Sequence, residues 1–356
     1  MLKQIQPKNI CIVRLSAIGD VCHALAVARS IQKNSPEINI TWIIGKTEAD
    51  LIGDIADIEF IIFDKTKGIK AYREVSKQLK GKQYDIALCM HASLRANFIY
   101  RLIPTSIRLG FDYQRARDLQ WLFTNRQISS TEDKHVLDAM HEFATEIGVK
   151  KKNLNWNIPI SGKYKKFASQ YRVDHKPMLI ISPCSSQRIN NYRNWNPEYY
   201  AASIDHAHTK YDCKAILTGS NTTTEKEFGD HIVKYCKYKP TNLIGKTNIK
   251  ELLAIISESD LLICPDSGPA HIATAVGTPV IGLYASSNPD RTGPYYDHEL
   301  TINLYPLACE TFAKKSVDEM KWGERIRHPN VMNLIKLDQV IDRIDQAFKV
   351  IKQEYL

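Results

Sequence analysis

The feature that most constrains the fold is a regular alternation between short apolar segments and longer amphipathic segments. The apolar segments are rich in β-branched residues, which is typical of strands that are buried on both faces. We predict such strands at 9–15, 38–45, 60–63, 84–90, 178–182, 213–218, 261–264 and 280–284. Because helical crossovers between buried strands produce parallel sheets, the chain is predicted to be an α/β protein.

The length and an interruption of this pattern predict two domains. The 356 residues exceed what a single core usually holds. A polar, lysine-rich stretch between Gly148 and Pro177 separates the two runs of strands. We expect an N-terminal Rossmann-like domain at 1–160 and a C-terminal one at 161–335. The last helix, within 336–356, is expected to pack back on the N-terminal domain.

Composition excludes several classes of protein. Hydrophobic residues make up 44% of the chain and charged residues 24%, as in ordinary globular proteins. No apolar run approaches the ~18 residues that cross a bilayer, and the N-terminal apolar run at 10–13 is shorter than a secretory signal needs. We therefore expect a cytoplasmic protein. The eight cysteines include no Cys-x-x-Cys pair, so neither a zinc site nor a disulfide framework is indicated.

The net charge of +9 is concentrated in one stretch. Between Lys65 and Arg126 there are 13 basic and 4 acidic residues, a local balance of +9, so the remainder of the chain is neutral. Such a stretch predicts one surface that faces an anionic partner. Nucleic acid, anionic lipid head groups and a phosphorylated small substrate all fit this description. Solvated helix faces would give the same composition.

The first of three loops that follow predicted strands ends in Gly19 and Asp20. Such loops are where doubly wound sheets bind ligands. The loop at 14–20 contains neither a G-x-G-x-x-G fingerprint nor a Walker A motif, which argues against dinucleotide or P-loop binding. Asp20 begins the next helix, where a carboxylate caps the helix or serves as a general base. Both interpretations remain open from spacing alone.

The other two loops contain residues suited to phosphate. In the second, hydroxyl and guanidinium donors are supplied by Ser185, Ser186 and Arg193, although an ordinary polar loop has the same composition. The third, 264–271, opens a helix whose free N–H groups suit a phosphate. His271 lies on the first turn of that helix, where histidines are more often structural than catalytic. The chain has no Asp-x-Asp motif, which weighs against sugar-nucleotide binding through a metal held by carboxylates.

These motifs resemble those of the family 9 glycosyltransferases, the lipopolysaccharide heptosyltransferases. The resemblance rests on 16–20 with Val21 and His23, on 193–195, and on 266–271 with its continuation to 277–279. It implies a GT-B fold, in which two Rossmann-like domains face a central cleft, and an inverting reaction without a metal or other cofactor. It also implies that Asp20 is the catalytic base, and that the donor diphosphate is held by Ser185, Ser186, Arg193, Asp266, Ser267, Gly268 and His271.

Within the family, 110–118 is most similar to the corresponding loop of heptosyltransferase I. This similarity implies ADP-heptose as the donor and Kdo-modified lipid A as the acceptor, at the cytoplasmic face of the inner membrane. The implied acceptor-binding residues are Ser16, Gly19, Arg115 and Arg117. A peripheral association with the anionic membrane surface is expected, and nucleic acid is not expected as a partner. Arg193 stands where the type enzyme carries lysine, and the two cations are not equivalent hydrogen-bond donors.

Two other functions remain compatible with the sequence. The first is a family 9 transferase that uses a different sugar donor or a different core acceptor. The second is a non-catalytic protein that binds a nucleotide sugar or a polyanion. The carboxylate of Asp20 argues against the second, because binding an anion gains nothing from a nearby negative charge.

Overall fold

Both halves of the chain form a parallel sheet whose strand order reverses at one point. The structure is a computed structural model that describes residues 6–129, 133–173, 176–186 and 190–354. The chain divides into two units, Met1–Pro159 and Ile160–Leu356, one residue from the expected boundary. Each unit has its own buried apolar core.

The first unit contains a six-stranded sheet in the order β3-β2-β1-β4-β5-β6. Its strands are β1 (Asn9–Val13), β2 (Asn39–Gly45), β3 (Glu59–Phe63), β4 (Ile86–Leu88), β5 (Arg108–Gly110) and β6 (Arg126–Gln127). Its helices are α1 (Ile18–Asn34), α2 (Lys46–Ile52), α3 (Ile69–Leu79), α4 (Leu94–Tyr100) and α5 (Val136–Glu146). A 3₁₀ turn at Gln120–Leu122 lies between β5 and β6.

The second unit repeats the architecture with the sheet order β12-β11-β10-β7-β8-β9. Its strands are β7 (Met178–Ile181), β8 (Lys214–Leu217), β9 (Thr241–Asn242), β10 (Leu261–Pro265), β11 (Val280–Tyr284) and β12 (Ile302–Asn303). Its helices are α6 (Gly162–Ser169), α7 (Pro197–Tyr211), α8 (Thr223–Tyr235), α9 (Ile249–Ser257), α10 (Gly268–Val276), α11 (Pro289–Thr292), α12 (Tyr305–Ala308) and α13 (Leu337–Glu354).

The reversal of strand order determines where a ligand site can form. In the first sheet the order reverses between β1 and β4, which pair directly. In the second it reverses between β7 and β10, which also pair directly. Crossovers on either side of such a point leave in opposite directions and open a crevice at the carboxyl ends of the two strands. Ligand-binding and catalytic residues are therefore expected in the loops after β1, β4, β7 and β10.

The last helix corrects one expectation. We expected α13 to pack on the first domain, but its apolar face belongs to the core of the second unit, through Val340, Ile344 and Phe348. The Phe348 ring lies 4.8 Å from that of Tyr211 on α7. Asp345, also on α13, accepts hydrogen bonds from Tyr211 and Lys210 of α7. The predicted apolar face of this helix is present, but it packs on the second unit.

Two further properties bear on the predicted class of protein. All eight cysteines are free, and seven of them are buried. Across the described ranges, no helix combines the length and the hydropathy that a membrane span requires.

Candidate active site

Asp20 lies at the reversal point of the first sheet, as the third residue of α1. Its carboxylate is 36% exposed and forms an ion pair with Arg14, the first residue after β1. Oδ2 also accepts a hydrogen bond from the backbone N–H of Ala17 at 3.3 Å. Asp20 therefore caps α1 and at the same time presents a carboxylate of fixed orientation. Nearby, Gly19 is buried and Ser16 is half-buried.

Arg14 and His91, which follow β1 and β4, fix the loop that carries Asp20. The Arg14 guanidinium donates to the carbonyl of Met90 at 2.6 Å. Nδ1 of His91 accepts the N–H of Leu15 at 3.1 Å. Burial, together with the positive charge of Arg14, lowers the pKa of His91 to about 3. At neutral pH the imidazole is therefore uncharged, and Arg14 is the cation beside Asp20.

The reversal point of the second sheet brings Arg193 and Asp266 together. Arg193 follows β7 by a loop and Asp266 directly follows β10, and both side chains are at least nine-tenths buried. The Arg193 guanidinium donates to the Asp266 carbonyl at 2.8 Å and to its carboxylate at 3.1 Å. Arg325 donates to the same carboxylate oxygen at 3.1 Å. Two guanidinium groups thus share one carboxylate, which leaves a net positive charge at this point.

Ser185 and Ser186 have different environments. Ser185 is buried, and its hydroxyl is hydrogen-bonded to Asn191 at 3.0 Å and to Asn194 at 3.3 Å. Ser186 is exposed, and its hydroxyl lies 3.5 Å from the Arg193 guanidinium. Ser185 therefore shapes the loop, whereas Ser186 lies beside the cation. Gln187 and Arg188, which belong to the same predicted loop, lie outside the described residues.

The helix α10 begins beside this charge cluster, as the third loop predicted. Ser267 is its N-cap, Gly268 its first residue, and Pro269 occupies the first turn without an N–H to satisfy. The Ser267 hydroxyl oxygen is buried and makes no conventional hydrogen bond within the described part of the chain. His271 is buried on the first turn. The free N–H groups of this turn and the helix dipole favour an anion at this point.

Arg325 and Arg327 were not among the predicted site residues. Both line a small cavity of about 70 Å³ with Arg193 and Ser286. The Ser286 carbonyl accepts the N–H of Ile326 at 2.9 Å, and the Ser286 hydroxyl donates to the Ile326 carbonyl at 2.8 Å. These bonds fix the segment that holds both arginines. The signal in the sequence was the Arg-x-Arg pair itself, but its segment has no regular periodicity and lies 59 residues from Asp266.

The two arginines proposed for the acceptor differ in their surroundings. Arg115 forms ion pairs with Asp112 and with Glu142 on α5, and it donates to the carbonyl of Ser129 at 3.0 Å. Arg117 is exposed, and none of the described residues accepts a hydrogen bond from its side chain. The structure therefore assigns Arg115 to holding the loop, and leaves the Arg117 guanidinium accessible to a ligand.

The described residues contain no cluster of three or more histidine, cysteine, aspartate or glutamate side chains that is arranged to bind a metal ion. What they contain instead is a carboxylate positioned by Arg14 in one unit. The other unit has a cationic cluster next to a helix N-terminus. The first can accept a proton, and the second can bind a phosphate.

Comparison with known proteins adds the family context. The model of "Glycosyltransferase family 9 (heptosyltransferase)" matches residues 72–322. The lipopolysaccharide core heptosyltransferase OpsX of Haemophilus influenzae is 42% identical over 95% of this chain and 96% of its own. The lipopolysaccharide heptosyltransferase 1 of Escherichia coli K12 is 20% identical over 86% of this chain and 98% of its own. Identity is thus higher with the core heptosyltransferase than with this heptosyltransferase 1.

Solved structures agree in fold. A family 9 glycosyltransferase from Veillonella parvula matches with a TM-score of 0.80 and 22% identity, covering 96% of this chain and 97% of its own. The heptosyltransferase WaaC of E. coli, solved with ADP, matches with a TM-score of 0.72 and 18% identity, covering 95% and 99%. The expected fold class, two Rossmann-like units of GT-B type, is confirmed.

Proposed function

The chain belongs to glycosyltransferase family 9, the heptosyltransferases, and from this premise we propose that it moves heptose from ADP-heptose to the Kdo-lipid A inner core of lipopolysaccharide. The observation that carries the donor side is the pair of guanidinium groups, Arg193 and Arg325, on the Asp266 carboxylate at the start of α10. A diphosphate is the part of ADP-heptose that such a site would bind. The name of the relative OpsX, a lipopolysaccharide core heptosyltransferase, supports the acceptor class.

In the proposed reaction, Asp20 accepts the proton of an acceptor hydroxyl. The hydroxyl oxygen forms a new bond to the anomeric carbon of the heptose, while the bond from that carbon to the diphosphate oxygen breaks. Attack from the face opposite ADP inverts the configuration at this carbon. The proton ends on Asp20 and the electron pair on the departing ADP. Arg14 supports this role because it holds the carboxylate in one orientation.

We propose that this reaction needs no metal ion. The charge that develops on the departing diphosphate would be stabilised by Arg193 and Arg325, together with the N–H groups at the start of α10. Both arginines are fixed before the reaction. Asp266 and Asn191 already hold Arg193, and Asp266 also holds Arg325. Fixed donors of this kind do the work that a bound cation does elsewhere.

The acceptor side rests on the exposed Arg117 and on the basic stretch around it. Phosphate and carboxylate groups of a Kdo-modified lipid A would attract these cations. Because that acceptor is a lipid, we propose that the protein works at the cytoplasmic face of the inner membrane as a peripheral protein. Nucleic acid is not part of this proposal.

The test of this function is the substitution Asp20→Asn. Asparagine keeps a side-chain oxygen that can accept the Ala17 N–H as Asp20 does, but it cannot accept the proton. We expect turnover of ADP-heptose with Kdo-lipid A to fall by about 10²–10⁴-fold, with the melting temperature nearly unchanged. Assays run with a chelator present also test the proposed metal independence, and the anomeric configuration of the product tests inversion.

A matched control is Glu251→Gln on α9. Glu251 makes the same capping contact as Asp20, because its carboxylate accepts the N–H of Asn248 at 2.8 Å. We expect this variant to keep wild-type turnover. If Asp20→Asn retained more than about a tenth of wild-type turnover, Asp20 would be a cap and not the base.

A further inference from the structure

Exposed apolar side chains are concentrated on one part of the first unit. Among the described residues, eight of the fourteen large hydrophobic side chains that are exposed lie between Ile62 and Leu122. They fall inside or next to the basic stretch, which alone accounts for the net charge of the chain. These eight are Ile62, Ile69, Leu94, Phe98, Tyr113, Leu119, Trp121 and Leu122.

Ring contacts and a hydrogen bond connect two of these residues, Phe98 and Leu122. The Phe98 ring lies 6.4 Å from the Tyr72 ring of α3 and 5.7 Å from that of Phe123. The Arg101 guanidinium lies over the Phe123 ring at 5.4 Å and donates to the carbonyl of Leu122 at 3.0 Å. The exposed face of α4 and the turn Gln120–Leu122 are thus neighbours.

The turn is held so that its apolar side chains point outward. Gln120 is fully buried, donates to the carbonyl of Cys89 at 2.8 Å and accepts the N–H of Phe111 at 3.2 Å. With Gln120 as the anchor, Trp121 and Leu122 remain 46% and 47% exposed. A fixed, exposed tryptophan is unusual unless something covers it.

A groove with a basic rim continues this surface along α3. It has a volume of about 780 Å³ and lies between α3 and the segment 102–104. Ile69, Tyr72 and Leu102 are apolar residues of its lining, and its rim includes Arg73, Lys77 and Lys80. All three basic side chains are exposed. Arg73 and Lys77 lie one turn apart on α3, and Lys80 directly follows the helix.

We propose that this surface, which we call the docking face, binds a bilayer that contains anionic phospholipids. It consists of α3, the exposed side of α4 and the turn Gln120–Leu122. Phe98, Trp121 and Leu122 would enter the boundary between head groups and acyl chains, where tryptophan and phenylalanine are favoured. Arg73, Lys77 and Lys80 would contact lipid phosphates. The charge of this face is complementary to such a surface, and apolar insertion adds binding that salt does not screen.

This inference rests on the proposed action at a membrane and deepens it, because it assigns the contact to named residues and to insertion as well as charge. Electrostatic attachment alone would be lost at high salt. The docking face predicts two components of binding, one sensitive to salt and one resistant to it.

The experiment is sedimentation of the full chain with vesicles of phosphatidylethanolamine and phosphatidylglycerol (3:1), with phosphatidylcholine vesicles for comparison. We expect wild type to bind the anionic vesicles, with a residual fraction bound at about 0.5 M salt, where screening is nearly complete. The triple variant Phe98→Ser, Trp121→Ser, Leu122→Ser should lose this residual binding by about tenfold or more. The triple variant Arg73→Ser, Lys77→Ser, Lys80→Ser should lose about fivefold per residue at low salt only.

Two controls keep the result specific. Tyr235→Ser with Leu307→Ser removes comparably exposed apolar side chains from the second unit and should bind as wild type does. Trp121→Phe should keep binding but lose the blue shift of tryptophan fluorescence on vesicles. Trp42, Trp156 and Trp195 are buried, and the half-buried Trp322 belongs to the second unit.

Turnover of a water-soluble, de-acylated Kdo acceptor separates the two proposals. We expect the apolar triple variant to keep wild-type turnover with this acceptor. If wild type did not turn over this acceptor, the proposed function would be overturned. If all variants bound vesicles equally, the docking face would be overturned. A change from dimer to monomer in the apolar variant, with unchanged vesicle binding, would assign this face to a second copy of the chain.

Discussion

At the scale of single residues, the site depends on charges that neighbouring side chains hold in place. Asp20 pairs with Arg14, and Asp266 is shared by Arg193 and Arg325. An arginine whose guanidinium is already oriented loses little freedom when a phosphate binds. The same contacts therefore stabilise the fold and prepare the site.

His91 gives a prediction about pH. Its pKa is about 3 in the folded protein, against roughly 6.5 in an unfolded chain. Between these values the unfolded chain binds a proton that the folded protein does not, so the stability contributed by neutral His91 is present above pH 6.5 and is lost as the pH falls. We expect the free energy of unfolding to decrease by up to about 2 kcal/mol more in wild type than in His91→Asn between pH 7 and pH 5.

Asparagine is the suitable replacement because its side-chain oxygen can still accept the N–H of Leu15. Denaturant unfolding at several pH values measures the difference. The exposed His231 on α8, changed to asparagine, serves as the control and should leave the pH profile of wild type unchanged. Parallel profiles for wild type and His91→Asn would show that the pKa of His91 is the same in the folded and unfolded chain, and would contradict the lowered value.

The site residues that could be predicted from the sequence are those whose position depends only on their own segment of the chain. Asp20, Arg193 and Asp266 each follow a predicted strand, so their positions at strand ends could be expected. The pairing of Arg14 with Asp20, the place of His91 and the contact of Arg325 with Asp266 depend on which strands become neighbours. That information lies in the tertiary packing, and the spacing of one segment does not contain it.

At the scale of secondary-structure elements, burial decided which strands could be predicted. The eight strands predicted from sequence match β1–β4, β7, β8, β10 and β11, and all of these except the edge strand β3 lie inside their sheets. The short strands β5, β6, β9 and β12 have two or three residues and include Arg108, Arg126 and Asn242. Two or three residues are too few to give an apolar signal, and three of these strands, β6, β9 and β12, lie at sheet edges.

The loop after β5 gives a prediction that separates two arginines. Arg115 pairs with Asp112 and Glu142, so we expect Arg115→Ala to lower the free energy of unfolding by about 1–3 kcal/mol through the buried partners that it leaves unpaired. Arg117 is exposed, so Arg117→Ala should leave stability unchanged and raise the acceptor KM by about tenfold or more, the loss of a charged hydrogen bond.

Thermal unfolding and steady-state kinetics with varied acceptor measure both effects. Arg126→Ala is the matched control, because Arg126 is exposed in the same basic stretch and lies beyond this loop. It should change neither quantity. If Arg117→Ala had wild-type kinetics, the acceptor would be recognised without Arg117 and the basic stretch would serve another purpose.

At the scale of the whole molecule, the two units repeat one topology with different chemistry. Each sheet reverses its strand order once, and each reversal point carries an Asp–Arg pair. In the first unit the carboxylate of Asp20 is half-buried, whereas in the second the Asp266 carboxylate is buried beneath two cations. The first arrangement leaves a base accessible, and the second leaves positive charge for an anion. Binding and proton transfer should therefore be separable by mutation.

Nucleotide binding measured by thermal unfolding tests this separation. We expect ADP to raise the melting temperature more than UDP or GDP, because ADP is the nucleotide of the proposed donor. A ligand at about 100 times its Kd stabilises the folded state by roughly 2.7 kcal/mol. Arg193→Ala should lose most of the ADP shift, since a charged hydrogen bond to phosphate is removed, whereas Asp20→Asn should keep the shift in full.

Arg172→Ala is the matched control. Arg172 also pairs with an aspartate of the second unit, Asp260 at 2.7 Å, so this variant should lower stability without changing the ADP shift. Protection by UDP or GDP without protection by ADP would refute ADP-heptose as the donor, and a full ADP shift in Arg193→Ala would remove Arg193 from the donor site.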